Sequence, residues 1–227
     1  MEISPIGIFH SPLKTKFGLP RQSGVVSGLL GFVELQGPFA VADAVRGIEG
    51  FDYLWLIWSF SENEQTRKHP TVRPPRLGGN ERMGVFATRS SFRPNNLALS
   101  CVKLERVETT GGVRLFVSGA DLMDGTPVFD IKPYLPSCDA HQEARGGFTD
   151  QVAWQPLEVE AAEGVKEKAG SDWPVIASLV AQDPRPHYHD DPEREYGMQF
   201  GQYDVKFRVN KSKALITNVL TLKNKST

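Results

Sequence analysis

Up to about Tyr134 the chain alternates between short runs of β-branched and aromatic residues and clusters of Gly, Pro, Asn and Asp. The runs cover 6–9, 32–35, 54–60, 85–87, 97–104, 113–117 and 128–131. Apolar runs this short, bounded by turn residues, predict strands, so this part of the chain reads as a β-barrel or a β-sandwich. Its one helical pattern is the alanine-rich stretch 38–46, with Gly47 as a stop. A parallel sheet of alternating strands and helices is therefore not expected. The segment 137–147 turns small and polar, marking a loop or a boundary. Beyond it, Val175, Ile176, Leu179 and Val180 recur at helical spacing. Asp172 offers an N-cap, Pro174 suits the first turn, and Pro184 ends the pattern. Tyr203, Val205, Phe207 and Val209 then alternate with Asp204, Lys206 and Arg208, and 210–213 lead into the apolar 214–222, which predicts a terminal hairpin. The expected organisation is mainly β: a barrel domain over 1–137, a variable linker or extension over 138–170 and a small α+β domain over 171–227.

At 227 residues the chain makes one large domain or a main domain with an appendage. Its 40% hydrophobic and 23% charged content is that of a globular protein and excludes the disordered and disulfide-scaffold classes. The 26 Lys and Arg balance 27 Asp and Glu, so only the distribution of charge can point to an acidic partner. Two cysteines, Cys101 and Cys138, make neither a secreted framework nor a paired zinc site, and both are expected as thiols in a reducing, cytoplasmic setting. The start of the chain lacks a leader pattern, and the longest apolar-rich run, 51–60, is about half a membrane span. A soluble protein with no membrane partner is expected.

Charge is most asymmetric between Arg67 and Arg93. Arg67, Lys68, Arg73, Arg76, Arg82, Arg89 and Arg93 meet one acid, Glu81, in a segment rich in Pro and Gly. A solvated loop is the plain reading. The preponderance of arginine, whose planar fork matches phosphate and carboxylate, favours an anion or nucleic-acid surface. Asp121 and Asp124 flank a second candidate. Asp124-Gly125 is a hairpin signal, and two carboxylates at a strand end could also meet a cationic ligand. The run 54–58, with Trp55 and Trp58, reads first as a buried strand and second as a stacking surface. His187 and His189 beside Asp190 and Asp191 have no third histidine nearby, so no metal is expected and a helix-ending loop is the simpler account. Nucleophile elbow, P-loop and zinc-protease motifs are missing from the sequence.

Several longer motifs occur in order: Pro20-Arg21-Gln22, the stretch 71–80, 83–89, Phe92-Arg93-Pro94-Asn95, 124–136, and in the tail Asp183-Pro184-Arg185-Pro186 with Tyr188. On these the chain resembles the YaeB/TrmO family from residue 3 to about 136, and again at the tail motif. The resemblance implies a single-sheet antiparallel β-barrel with a small C-terminal domain, assembled as a homodimer. It implies an S-adenosylmethionine-dependent methyltransferase acting on N6 of N6-threonylcarbamoyladenosine, just 3′ of the anticodon in threonine tRNAs. Carried over motif by motif, the methyl-donor contacts fall on Pro20, Arg21, Gln22, Ser61, Glu62, Arg89, Leu99, Asp121, Leu122, Met123 and Asp124. The chain departs from the family pattern at Ser61-Glu62, where a His precedes Gln or Glu in other members. It departs again at Asn95-Asn96-Leu97-Ala98, where they have Asn-Pro-Ile-Gly.

Transfer of a sulfonium methyl is an in-line displacement that requires alignment and exclusion of water rather than a metal. Asp121 or Asp124 is expected to serve the sulfonium or to take the N6 proton, with Tyr188 as a third catalytic candidate. Arg73, Arg76, Arg93, Asp183 and Arg185 are the candidates for tRNA phosphates or the threonyl carboxylate. Two other classes compete: a non-catalytic RNA-binding barrel, and a methyltransferase or other barrel enzyme with a different acceptor.

Overall fold

The computed structural model describes residues 2–63, 69–79, 81–152, 154–186 and 191–222. Along the first part of the chain run β1 (Gly7–His10), β2 (Leu30–Leu35), β3 (Tyr53–Ser59), the short pair β4 (Thr71–Val72) and β5 (Met83–Gly84), β6 (Leu97–Glu108), β7 (Arg114–Ser118) and β8 (Thr126–Pro133). Six of them close a barrel in the order β1-β2-β7-β6-β3-β8, with every neighbouring pair antiparallel. Alternation explains the closure. In β3 Leu54, Leu56 and Trp58 point inward, where they meet Phe9, Val33, Val102, Leu115, Val117, Leu122 and Val128. Fully burying one such side chain contributes about 1.5–3 kcal/mol. Gly31 is required in β2, because a Cβ there would lie 2.5 Å from the Phe9 ring.

Three local expectations are corrected. The stretch 38–46 forms no helix but 3-10 turns at Gly37–Phe39 and Ala42–Val45, since Val45 alone is buried and no apolar stripe anchors a longer helix. Val85–Ala87 is a 3-10 turn after β5 rather than a strand. Asp124-Gly125 does not join a hairpin, because β7 and β8 are not neighbours. It lies in a turn closed by Thr126 N–H donating to Met123 O at 3.3 Å, with Gly125 at φ 80°.

The rest of the chain forms α1 (Pro136–Asp139), α2 (Phe148–Gln151), β9 (Glu158–Ala161), α3 (Val165–Ala169), α4 (Trp173–Ala181), β10 (Tyr196–Phe200), β11 (Tyr203–Asn210) and β12 (Lys213–Thr221). The expected hairpin is β11–β12, and the sheet runs β10-β11-β12-β9 with β9 parallel to β12. So β9 and α3, from the stretch read as linker, are structural parts of the C-terminal unit. Val165 and Ala169 are buried in its core. Asp172 makes no side-chain cap to α4. A 3-10 turn, Gly170–Asp172, runs straight into the helix instead.

The C-terminal core also draws on the barrel half of the chain. Leu13, Val26 and Leu29, from the excursion between β1 and β2, are buried with Ile176, Leu179, Met198, Phe207 and Ile216. Phe17 stacks near Tyr196 and Phe207. The Pro-Arg-Gln motif thus lies on a segment anchored on both sides in the C-terminal core.

Candidate functional site

β6 runs past the end of β7, since their pairing begins at Lys103↔Ser118. The edge this leaves is met by the 20–24 loop. The Ser23 hydroxyl accepts the Cys101 amide at 3.2 Å, and the Gly24 amide donates to the Gly119 carbonyl at 2.7 Å. On that seam the motifs converge. Arg89 Nη1 donates to Gln22 Oε1 at 2.6 Å. Asp121 lies where the chain leaves β7, with Oδ1 accepting the Ser100 hydroxyl at 2.5 Å, and Ser100 Oγ in turn accepting the Trp58 indole N–H at 2.8 Å. Burial pushes the Asp121 carboxyl above its ordinary range. The Ser100 hydroxyl, its own amide, the nearby Arg89 charge and the Ser23 amide pull the other way without cancelling it.

Asp124 sits one turn further on. Its Oδ1 accepts the Ser11 amide at 3.1 Å and lies 3.4 Å from His10 Nδ1, and its own amide donates to the Leu13 carbonyl at 2.9 Å. Between the two aspartates, Leu122 points into the barrel core and is fully buried, while Met123 is half-buried. Leu99 is outward on β6 and 56% exposed. Ser61 and Glu62 are exposed in a turn tied to the 11–23 excursion by Lys16, which donates to the Glu62 carbonyl and to Asn63 Oδ1.

The tail reaches the same place. Arg21 Nη2 donates to the Asp183 carbonyl at 2.9 Å, and the Asp183 carboxylate takes Arg185 in a two-pronged pair at 2.7 and 3.0 Å. Arg21 is exposed overall, yet partial desolvation lowers its pKa, with Asp183 opposing and the Arg76 charge adding to it. Arg21, Arg76, Asp183 and Arg185 therefore form one cluster from three separate stretches. Arg73 is exposed nearby in sequence. Arg93 is held by its own loop: Nη1 donates to the Thr88 carbonyl at 2.7 Å and lies 3.4 Å from that of Val85, with the guanidinium over the Phe86 ring. Arg67, Lys68, His187, Tyr188, His189 and Asp190 lie outside the described residues. Among the described residues no three His, Cys, Asp or Glu side chains gather as a metal site, and no helix is long and apolar enough to cross a membrane. Asn96 adopts φ 52°, which the proline of the family pattern could not.

Ser100, Ser23 and Lys16 were not legible as site residues from motifs, and Trp58 was legible only as a stacking candidate. One signal was present for Ser100. It is a polar residue at an inward position of β6, between Ala98 and Val102, and a buried hydroxyl there must find a partner.

A family model described as the tRNA-methyltransferase O N-terminal domain matches residues 8–140, and one described as the TrmO C-terminal domain matches residues 150–222. The chain is 49% identical over 176 residues to a tRNA (adenine(37)-N6)-methyltransferase of Eikenella corrodens, covering 76% of this chain and 98% of the relative. It is 40% identical to the enzyme of the same description from Escherichia coli strain K12, covering 92% and 93% of the two chains. A crystal structure of TrmO from Pseudomonas aeruginosa superposes with a TM-score of 0.79 at 33% identity, covering 97% of this chain and 98% of that one. With both domain models matched in order and relatives aligned over nearly their whole length, the chain belongs to the TrmO family of tRNA methyltransferases.

Proposed function

We propose that this chain transfers a methyl group from S-adenosylmethionine to N6 of the adenine at position 37 of tRNA. The observation that carries the reading is the seam on the barrel wall. There Gln22, Arg89 and Asp121, which the family motifs connect with the donor, share one network of hydrogen bonds and charge although they lie far apart in sequence. A buried carboxylate whose neighbouring guanidinium is engaged by Gln22 suits a cationic ligand. Pro20, Arg21, Ser61, Glu62, Leu99, Leu122, Met123 and Asp124 complete the proposed donor site, Leu122 by its backbone because its side chain is in the core.

The donor, when bound, supplies a methyl group already activated as an electrophile. What the chain supplies is alignment, exclusion of water and a place for charge. Asp121 faces the cationic part of the donor. The acceptor we propose is N6-threonylcarbamoyladenosine of threonine tRNA, whose N6 carries one proton and is conjugated to a carbonyl. Asp121 or Asp124 accepts that proton or orients the N–H, and Tyr188 of the tail motif is a third candidate for that role. Arg73, Arg76, Arg93 and Arg185 meet the phosphates or the threonyl carboxylate, and Asp183 holds Arg185 in place. The purine must leave the anticodon-loop stack, which is less costly in a loop than in a duplex.

A near-neutral chain offers few phosphate contacts, so a cytoplasmic homodimer that presents a second set of arginines is part of the proposal. The exposed Phe86 and Phe92 support it as surface that a second copy could cover. The deciding experiment is transfer of labelled methyl to threonine tRNA prepared with and without the threonylcarbamoyl group. Label on the modified tRNA alone is expected. Label on neither, with donor binding intact, would point to another acceptor, and absence of donor binding would overturn the reading.

A further inference from the structure

The Trp58 indole N–H can only donate, and its partner is Ser100 Oγ. The hydroxyl of Ser100 in turn donates to Asp121 Oδ1, 2.5 Å away. The hydrogen bonds thus run from Trp58 on β3, through Ser100 on β6, to Asp121 after β7. Trp58 is 5% and Ser100 1% exposed, so water does not compete for either bond. The Phe60 ring packs edge-on against Trp58 with centroids 4.6 Å apart, which restricts the indole further.

We propose that Ser100, oriented by Trp58, is a positioning residue for methyl transfer: its hydroxyl holds the Asp121 carboxylate in one orientation, toward the cationic end of the donor. The inference rests on the donor site proposed above. A purely structural role would satisfy two buried polar groups and nothing more, whereas a positioning role also sets the protonation of Asp121. The other groups facing that carboxylate are the Arg89 guanidinium and the amides of Ser23 and Asp121 itself. Burial works against the charged form, so loss of the one side-chain hydrogen bond is felt directly.

The test follows the carboxyl carbon of Asp121 by NMR through a pH titration of the full chain, alongside S-adenosylmethionine affinity by calorimetry over the same range. Ser100→Ala is expected to raise the Asp121 titration and the acid limb of donor binding by about one pH unit. Ser100→Thr, which keeps the hydroxyl, should restore both. Because Ser100→Ala orphans the Trp58 N–H, the double variant Trp58→Phe/Ser100→Ala removes that complication and should show the same shift. A lower melting temperature with an unmoved titration would overturn the positioning role. Wild-type protein that binds no donor at any pH would instead overturn the donor-site reading, while the ligand-free titration would still decide whether Ser100 holds Asp121 ionised.

Discussion

Arg21 and Asp183 are bonded across the two halves of the molecule: the guanidinium from the excursion between β1 and β2 donates to the backbone carbonyl of the tail residue at 2.9 Å. Asp183 is also at φ 48°, a left-handed conformation that Asn tolerates, and its carboxylate holds Arg185. Asp183→Asn keeps the backbone and the carbonyl but removes the charge. The expected outcome is a kcat/KM for tRNA lowered about tenfold, with donor affinity nearly unchanged. Steady-state kinetics beside donor calorimetry check this, and an equal loss in both would place Asp183 in the donor site instead.

The basic stretch makes a salt prediction. If Arg73 and Arg76 contact phosphates, each substitution to Ala should weaken tRNA binding at all sequences and flatten the plot of log affinity against log salt by about 0.7 per contact. Filter binding across a salt series measures the slope. A slope unchanged in both variants would return these residues to the solvated-loop reading.

Asp121 is predicted to trade stability for function. Its pKa is raised on folding, so the folded chain binds this proton more tightly than the unfolded one. The corresponding stability is fully present below the unfolded pKa and is lost as pH rises through the folded value. Asp121→Asn should therefore raise the melting temperature of the ligand-free protein by roughly 2–4 °C at neutral pH. The gain should shrink as pH falls through the Asp121 titration. Donor affinity should fall at the same time. Thermal melts at several pH values and calorimetry test the pair of outcomes, and destabilisation at neutral pH would contradict the first.

The donor motif is predicted to depend on the C-terminal core. Gly18 sits at φ 95°, and a Cβ there would lie 2.4 Å from the Met198 sulfur of β10. Gly18→Ala should cost about 1–3 kcal/mol through backbone strain and overpacking and weaken donor binding two residues away at Pro20. Adding Met198→Ala relieves the clash but not the φ, so recovery should be partial. Urea titrations and calorimetry follow both effects.

Asn96 tests the departure from the family motif. Proline at this position cannot adopt φ 52° and would lose the amide that donates to the Arg93 carbonyl at 3.4 Å. Asn96→Pro should destabilise the loop by about 1–3 kcal/mol, whereas Asn96→Gly should be neutral or stabilising. Chemical denaturation of the two variants separates them, and equal stability would mean the loop repacks freely.

The strands of the barrel were legible because alternation in segments such as 54–58 follows from a sheet with one buried face, and the β11–β12 hairpin because its polar and apolar residues take turns in the same way. The donor and tRNA motifs were legible as strings of residues. β9 was not, since Glu158, Val159, Glu160 and Ala161 offer one β-branched residue among two glutamates and an alanine, and it became a strand only by pairing with β12. Nor could local pattern reveal that Leu13, Val26 and Leu29 complete a core built mostly from residues beyond 157, or that Arg21 meets Asp183. Residue type and local spacing thus determined which strands form and which chemistries are available. Long-range packing decided which of those chemistries share a site, because the bond from Trp58 through Ser100 to Asp121 exists only once three separate parts of the barrel wall are brought together.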